Sequence, residues 1–413
     1  MPRTTVRPQV FGPFDGDFDP FDEEEDVGVV ITFGRRVGGT VAIVSWAVWA
    51  LGTVFSGAAA MAQQKSETVD EVRRYFDPNV LGPDVRLQGE YAGMLAGRPV
   101  GVQVVARGEG RFHALVLPGG LPGDGWDGMP YVLLESDPLE RGVAAFHAVA
   151  AADDATAHLD GEGFRLTRAG QAAVLPRVER TSPTLGQRPP AGAVVLFDGT
   201  GLDAFQEDKT YEAQTMPLML DDTMLNGGVT KRSFGDCLLH VEFMTGFEPE
   251  NIPWRRADAG IYLASRYEVA IGDSFGFDFD LSGYGGPTPP RLFSQRSLAQ
   301  KFPVTTGTRH TTKPRVCGSV FTYPIIVPNT CHPPLTWQTL DIDFTAPRFD
   351  AAGAKTADAI LSVKLNGHQI VDRQQVTKPT PHGLKGDAAR GPIWFEAFFR
   401  RVLYRNIWLV EKS

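Results

Sequence analysis

The chain has 413 residues, more than one hydrophobic core usually organises, and 42% hydrophobic with 22% charged residues is the composition of a folded protein. A formal net charge of −9, with no Lys/Arg stripe interleaved with aromatics, repels phosphate backbones and excludes nucleic acid as a partner. The 45 Gly and 31 Pro set a turn density that favours β architecture over helix bundles.

Residues 1–34 carry Asp15, Asp17, Asp19, Asp22, Glu23, Glu24, Glu25 and Asp26, an acidic leader of disordered composition. It reads either as a cytoplasmic tail or as the result of a start codon set too early. Residues 35–62 follow, with Arg35-Arg36 ahead of a run from Val37 to Ala62 that holds no charge and ends in Ala60-Met61-Ala62. A positive flank, an apolar stretch and a small-residue site make a cleaved secretory signal, with a mature chain starting near Gln63 and a periplasmic or extracellular destination. The alternative is an uncleaved anchor, because the run reaches the roughly 20 residues that span a bilayer. Residues 37–62 are the only expected route to a membrane.

Residues 63–84 hold a short helix and a connector. Thr68 and Glu71 form a capping-box pattern, and Val69, Val72 and Phe76 recur at helical spacing, predicting about three turns before Asp77-Pro78. Residues 85–180 change to short strands, at Leu87–Met94, Val100–Ala106, Arg111–Leu117, Tyr131–Glu135, Val143–Ala150, Phe164–Thr167 and Ala172–Val178, with Gly108-Glu109-Gly110 as a hairpin loop. The glycine-rich stretch Pro118–Gly128 is followed by no Gly-Lys-Ser/Thr and no helix, so it is not a phosphate loop. A Pro/Gly/Thr-rich linker occupies 181–191.

Residues 192–413 alternate again, at Val194–Phe197, Cys237–Phe243, Gly260–Leu263, Tyr267–Ile271, Thr339–Phe344, Ile360–Leu365, Gln369–Val371 and Ile407–Val410, with no βαβ rhythm. The expected fold class is all-β, a jelly-roll sandwich preceded by a smaller β-rich domain. Such a sandwich offers one sheet face as a shallow sugar-binding surface, with aromatic platforms and hydrogen-bonding side chains on alternate positions. Cys237, Cys317 and Cys331 have no C-x-x-C spacing and are expected as core thiols, Cys317 and Cys331 having a disulfide as their alternative in an oxidising compartment. No His-x-His or clustered-Asp pattern requires a metal; no cofactor is expected, and a divalent ion is left open.

Several segments carry a resemblance. Val194-Val195-Leu196-Phe197-Asp198-Gly199-Thr200-Gly201-Leu202, Phe234–Phe243, Asp258-Ala259-Gly260-Ile261-Tyr262-Leu263, Arg266-Tyr267-Glu268-Val269 with Asp273-Ser274-Phe275, Trp337–Asp350, Asn366-Gly367, and Gly391-Pro392-Ile393 with Arg405-Asn406-Ile407-Trp408 are in order and sensibly spaced. Together they resemble the 3-keto-disaccharide hydrolase family, a concanavalin-like jelly roll, over 192–413. The resemblance implies a sugar or glycoside ligand whose C3 ketone acidifies the C2 hydrogen, so that a base removes it and the C1 substituent leaves by elimination. That chemistry needs a general base, an enolate stabiliser and an acid near the leaving oxygen.

Strand parity puts Arg266 and Glu268 on one face and Tyr267, Val269 and Ile271 on the other, which makes Glu268 the candidate base and Arg266 the candidate enolate stabiliser. His240 and Glu242 share a face, as do Asp341 and Asp343. With Tyr262 and Asp273 from the matched motifs, Glu242, His240 and Asp341 complete the candidate substrate-binding set. An ordinary ion pair or solvated strand face is the alternative for each pair. Where the family carries a Leu-Gln-Asp-His-Gly-like segment, this chain reads Trp394-Phe395-Glu396-Ala397-Phe398-Phe399 without the histidine, and Ala270 stands where many members carry Gln. A long insertion runs from Ile271 to Arg315. A non-catalytic carbohydrate-binding or cell-surface module on the same fold is therefore the competing function.

Overall fold

The computed structural model describes residues 68–126, 128, 131–207, 217–225, 227–251, 255–276, 316–321, 323, 325, 328–396 and 401–412. The acidic leader, the apolar segment 35–62, most of the insertion and residues 397–400 lie outside them. Among the described residues no helix is long and apolar enough to cross a membrane.

The first element starts where the capping box sets it. In α1 (Val69–Arg73), Glu71 N donates to Thr68 Oγ1 at 3.3 Å and Thr68 N donates to Glu71 Oε2 at 2.8 Å. The helix is shorter than the expected three turns: Val72 alone is fully buried, and turns carry the chain on to Phe76, ahead of Pro78. A second short helix, α2 (Asp84–Leu87), replaces the expected start of the first strand at Leu87. Tyr91 Oη donates to Leu87 O at 2.7 Å and pins that change of direction.

Nine strands follow: β1 (Gly89–Leu95), β2 (Arg98–Ala106), β3 (Phe112–Pro118), β4 (Val132–Ser136), β5 (Ala144–Ala148), β6 (Thr156–Asp160), β7 (Gly163–Arg168), β8 (Gln171–Leu175) and β9 (Arg177–Val178). They make one antiparallel sheet in the order β8-β7-β6-β5-β4-β3-β2-β1-β9. Its two edge strands are consecutive in the chain, divided by Pro176 alone, and Pro176 O accepts from Ala92 N at 3.2 Å. The sheet therefore curls round to meet itself, which leaves no long open edge. Val102, Val104, Ala114, Val116, Phe146 and Phe164 fill its interior. β6 is missing from the sequence reading because only Ala157 and Leu159 point inward in it. In the glycine-rich stretch, a β-carbon at Gly120 would lie 2.1 Å from Asp124 O, so the glycine serves a close backbone approach.

The two sheets of the sandwich are built from β10 (Val194–Phe197), β11 (Phe205–Gln206), β12 (Leu218–Leu220), β13 (Thr223–Leu225), β14 (Val229–Phe234), β15 (Cys237–Thr245), β16 (Ala259–Leu263), β17 (Tyr267–Ile271), β18 (Gln338–Thr345), β19 (Ala359–Leu365), β20 (His368–Val376), β21 (Gly391–Phe395) and β22 (Val402–Glu411). The larger sheet runs β12-β13-β22-β15-β18-β19-β20 with β10 also on β22, and the smaller runs β11-β14-β21-β16-β17. Leu239, Val241, Phe243 and Ile342 from one sheet meet Ile261, Tyr267, Val269 and Ile393 from the other in a single core, the expected jelly-roll-like sandwich. Cys237, Cys317 and Cys331 are buried as free thiols.

The sandwich and the curled sheet touch. Phe247 enters the interior of the curled sheet, and Phe275 packs against Val105, Leu115 and Leu117 on its outer face. Arg256, 3% exposed, donates to Ala106 O at 3.2 Å.

Candidate functional site

Because β16 and β17 send odd and even positions to opposite faces, the outer face of the smaller sheet receives Tyr262 and Glu268 as direct cross-strand partners. Tyr262 is also paired with Trp394 on β21. Tyr262 Oη donates to Glu268 Oε2 at 2.9 Å, and the Tyr262 and Trp394 rings lie 4.3 Å apart at 30°. All three side chains are buried. Gly260 makes room for them: a β-carbon there would lie 2.9 Å from both Glu268 Cγ and the Tyr262 ring. Backbone contacts fix Glu268 as well, its N donating to Thr380 Oγ1 at 3.0 Å and its O accepting from Phe321 N at 3.2 Å. A carboxylate oriented by a phenol beside two aromatic rings is equipped to accept a proton from carbon in a site of low polarity.

Arg266 does not join it. The strand begins at Tyr267, which leaves Arg266 in the β16–β17 turn, where its guanidinium donates to Gly386 O at 2.5 Å and Ala264 O at 2.8 Å. The expected enolate stabiliser is thus corrected to a group that braces a turn, because strand alternation stops one residue short of it. Tyr267, Val269 and Ile271 face the core as expected.

Glu242, His240 and Asp341 meet on the outer face of the larger sheet, far from solvent in the case of the first two, each 1% exposed. His240 Nδ1 lies 2.6 Å from Asp341 Oδ1, and its ring stacks on Trp408 at 4.8 Å. What covers them is the linker. Gly186 N donates to Glu242 Oε1 at 2.6 Å, Thr184 Oγ1 donates to Asp341 Oδ2 at 3.0 Å, and Asn406 and Trp408 donate to Gln187 O at 2.9 and 3.3 Å. Arg405 Nε and Asn406 Nδ2 complete the Glu242 carboxylate at 2.7 and 2.8 Å. Two side chains expected to hold sugar, Glu242 and Asp341, hold residues 184–187, because a linker that is polar in sequence supplies the hydrogen bonds a buried carboxylate needs, and His240 is bonded to Asp341 beside them. Asp343 is apart from them and pairs with Lys412.

Asp273 follows β17 and is also committed, 3.9 Å from Arg256 Nη1 and accepting from Phe275 N at 3.2 Å. Burial raises its carboxyl to about 6 against the pull of Arg256. The residues the sequence reading missed are Trp394, Gly260 and Thr380. Parity from Ile393 could have placed Trp394 outward, whereas nothing local ties Thr380 to Glu268. Among the described residues no group of three or more His, Cys, Asp and Glu is placed to hold a metal ion.

Residues 192–410 match the family model described as the 3-keto-alpha-glucoside-1,2-lyase-like domain. Three solved structures of candidate glycosyl hydrolases from Parabacteroides distasonis are also similar. The first is 23% identical with a TM-score of 0.39, over 54% of this chain and 85% of that one. The second is 12% identical with a TM-score of 0.33, over 54% and 94%, and the third 14% identical with a TM-score of 0.31, over 53% and 99%. No curated protein matches significantly.

Proposed function

Because the chain belongs through residues 192–410 to the 3-keto-alpha-glucoside-1,2-lyase-like family, a family of carbohydrate-active domains, we propose that it cleaves the glycosidic bond of a 3-keto-glycoside or 3-keto-disaccharide. The observation that carries this reading is the Tyr262–Glu268 hydrogen bond of 2.9 Å beside Trp394. Glu268 removes the C2 proton that the C3 ketone acidifies, and the C–H electron pair moves into an enolate. Its collapse forms the C1–C2 double bond and expels the C1 oxygen, which takes up a proton. Water then adds to the resulting enone at C1 to complete net hydrolysis. Tyr262 holds the carboxylate in one orientation, and the Tyr262–Trp394 ring pair keeps its surroundings apolar. The segment 35–62 supports action outside the cytoplasm.

The test is turnover of 3-keto-trehalose and a panel of 3-keto-glucosides by the chain, followed as released sugar and as transient enone absorbance. Glu268→Gln keeps shape but removes the base, so kcat should fall by about 10² or more while the fold is kept. Full activity in that variant would refute Glu268 as the base. Glycan binding without any turnover would instead assign the non-catalytic binding module.

A further inference from the structure

The segment 316–321 lies alongside β17 and is hydrogen-bonded to it. Val320 bridges Val269, Gly318 N donates to Ala270 O at 2.7 Å, Ala270 N donates to Ser319 O at 2.9 Å, and Phe321 N reaches Glu268 O. Two of the three cysteines belong to this region. Cys317 is 1% exposed and Cys331 is fully buried. Both belong to the sandwich core, where Cys331 Sγ lies 3.4 Å from His332 O and 3.9 Å from Gly272 O, two residues ahead of Ser274. A second link joins their backbones: Cys317 N donates to Ser274 Oγ at 3.2 Å, Cys331 N donates to Asn329 Oδ1 at 3.0 Å, and Asn329 Nδ2 donates to Ser274 Oγ at 3.2 Å. Ser274 and Asn329 thus tie the main chains of the two cysteines together inside one core. Cys237 stands elsewhere, on β15 opposite Phe344.

We propose that Cys317 and Cys331 are a disulfide site, closed when the chain folds in the presence of a disulfide donor, which staples the 316–321 segment beside Glu268. The step is thiol–disulfide exchange. One cysteine thiolate attacks the donor's S–S bond, forming a mixed disulfide and releasing one donor thiol. The second thiolate then displaces the other donor thiol. Two protein S–H bonds are lost, one S–S bond forms, and the donor disulfide is reduced to two thiols. Burial pushes the Cys317 thiol up and shuts out the donor, so exchange precedes final packing and the closed bond then resists reductant in the folded chain. Closure restricts a ring of roughly 15 residues in the unfolded state. Cys237, raised to about 12 chiefly by burial, stays a thiol.

The inference does not depend on the sugar chemistry. The test uses the full chain in two preparations, one recovered from the periplasm of an expressing bacterium and one refolded from denaturant through a buffer of reduced and oxidised glutathione. Each is alkylated in denaturant without reductant, weighed intact, and mapped by peptide mass. A single alkylated cysteine, Cys237, with a peptide joining Cys317 to Cys331 in either preparation is the expected result. Reductant should open the link only when denaturant is present. Cys331→Ser should abolish it and lower the melting temperature by about 5 °C relative to the oxidised chain. Three alkylated cysteines in both preparations, or a link that includes Cys237, would overturn the proposal, and neither result requires a variant to fold.

Discussion

Glu242→Gln removes a charge from beneath the linker and nothing from the Tyr262–Glu268 face. Burial pushes the Glu242 carboxyl up, but the His240 ring 3.8 Å away and hydrogen bonds from Asn406, Arg405 and Gly186 outweigh it and bring it down to about 2 from the ordinary 4.5. That gap corresponds to roughly 3 kcal/mol at neutral pH as an upper bound. A direct count gives a similar figure, since a hydrogen bond to a charged group contributes about 1.5–3 kcal/mol and the Gln amide cannot satisfy Arg405 and Gly186 together. Arg405 is 37% exposed and regains water when its partner is lost, so the expected cost is about 2 kcal/mol. Because the folded value is depressed, this contribution is present above about 4.5 and is lost as pH falls toward about 2. His240 runs the other way. Burial lowers its pKa, but Asp341 and Glu242 more than compensate and raise it, so its contribution is full below the ordinary 6.5 and fades as pH rises. The linker clasp should be strongest between these limits. Urea unfolding of wild type and Glu242→Gln at pH 5.5 and 7 measures the difference, with turnover assayed in parallel. A variant as stable as wild type but unable to turn over substrate would refute the clasp and return Glu242 to the sugar site.

Three further outcomes are expected. Gly260→Ala places a β-carbon 2.9 Å from Glu268 Cγ and the Tyr262 ring, so steady-state kinetics should show kcat down by at least about tenfold with the circular dichroism spectrum unchanged. Gly276→Ala puts a β-carbon 2.2 Å from Val105 Cγ2 at a φ of +58°, and thermal unfolding should report a loss of about 2 kcal/mol or more where the sandwich meets the curled sheet. The Asp273 carboxyl is raised to about 6, so the protonated form is the one the fold favours: its contribution is full below about 3.8 and is lost as pH rises through about 6. Asp273→Asn should therefore flatten the pH dependence of stability between these values in a denaturation series.

Local pattern by itself determined much of this protein. The capping box at Thr68 and Glu71, the hairpin at Gly108–Gly110, and the inward set Tyr267, Val269 and Ile271 are all dictated by residues within a few positions of one another, through main-chain geometry and the two-residue period of a strand. The matched motifs from Val194 to Trp408 likewise named the sandwich and pointed at Glu268. Period-2 parity could not say where a strand begins, and that misplaced Arg266, whose guanidinium serves a turn. Nor does parity distinguish the two outer faces of a sandwich. Glu242 and Glu268 read alike in the sequence, and only tertiary contact brings Gly186 to the Glu242 carboxylate, Thr380 to the Glu268 amide and Trp394 to Tyr262. Which carboxylate meets the linker and which meets an aromatic pair is decided by tertiary contacts, several of them between segments more than a hundred residues apart. A burial partner of that kind leaves no local trace, because a polar linker residue reads the same whether water or a buried carboxylate takes its hydrogen bond.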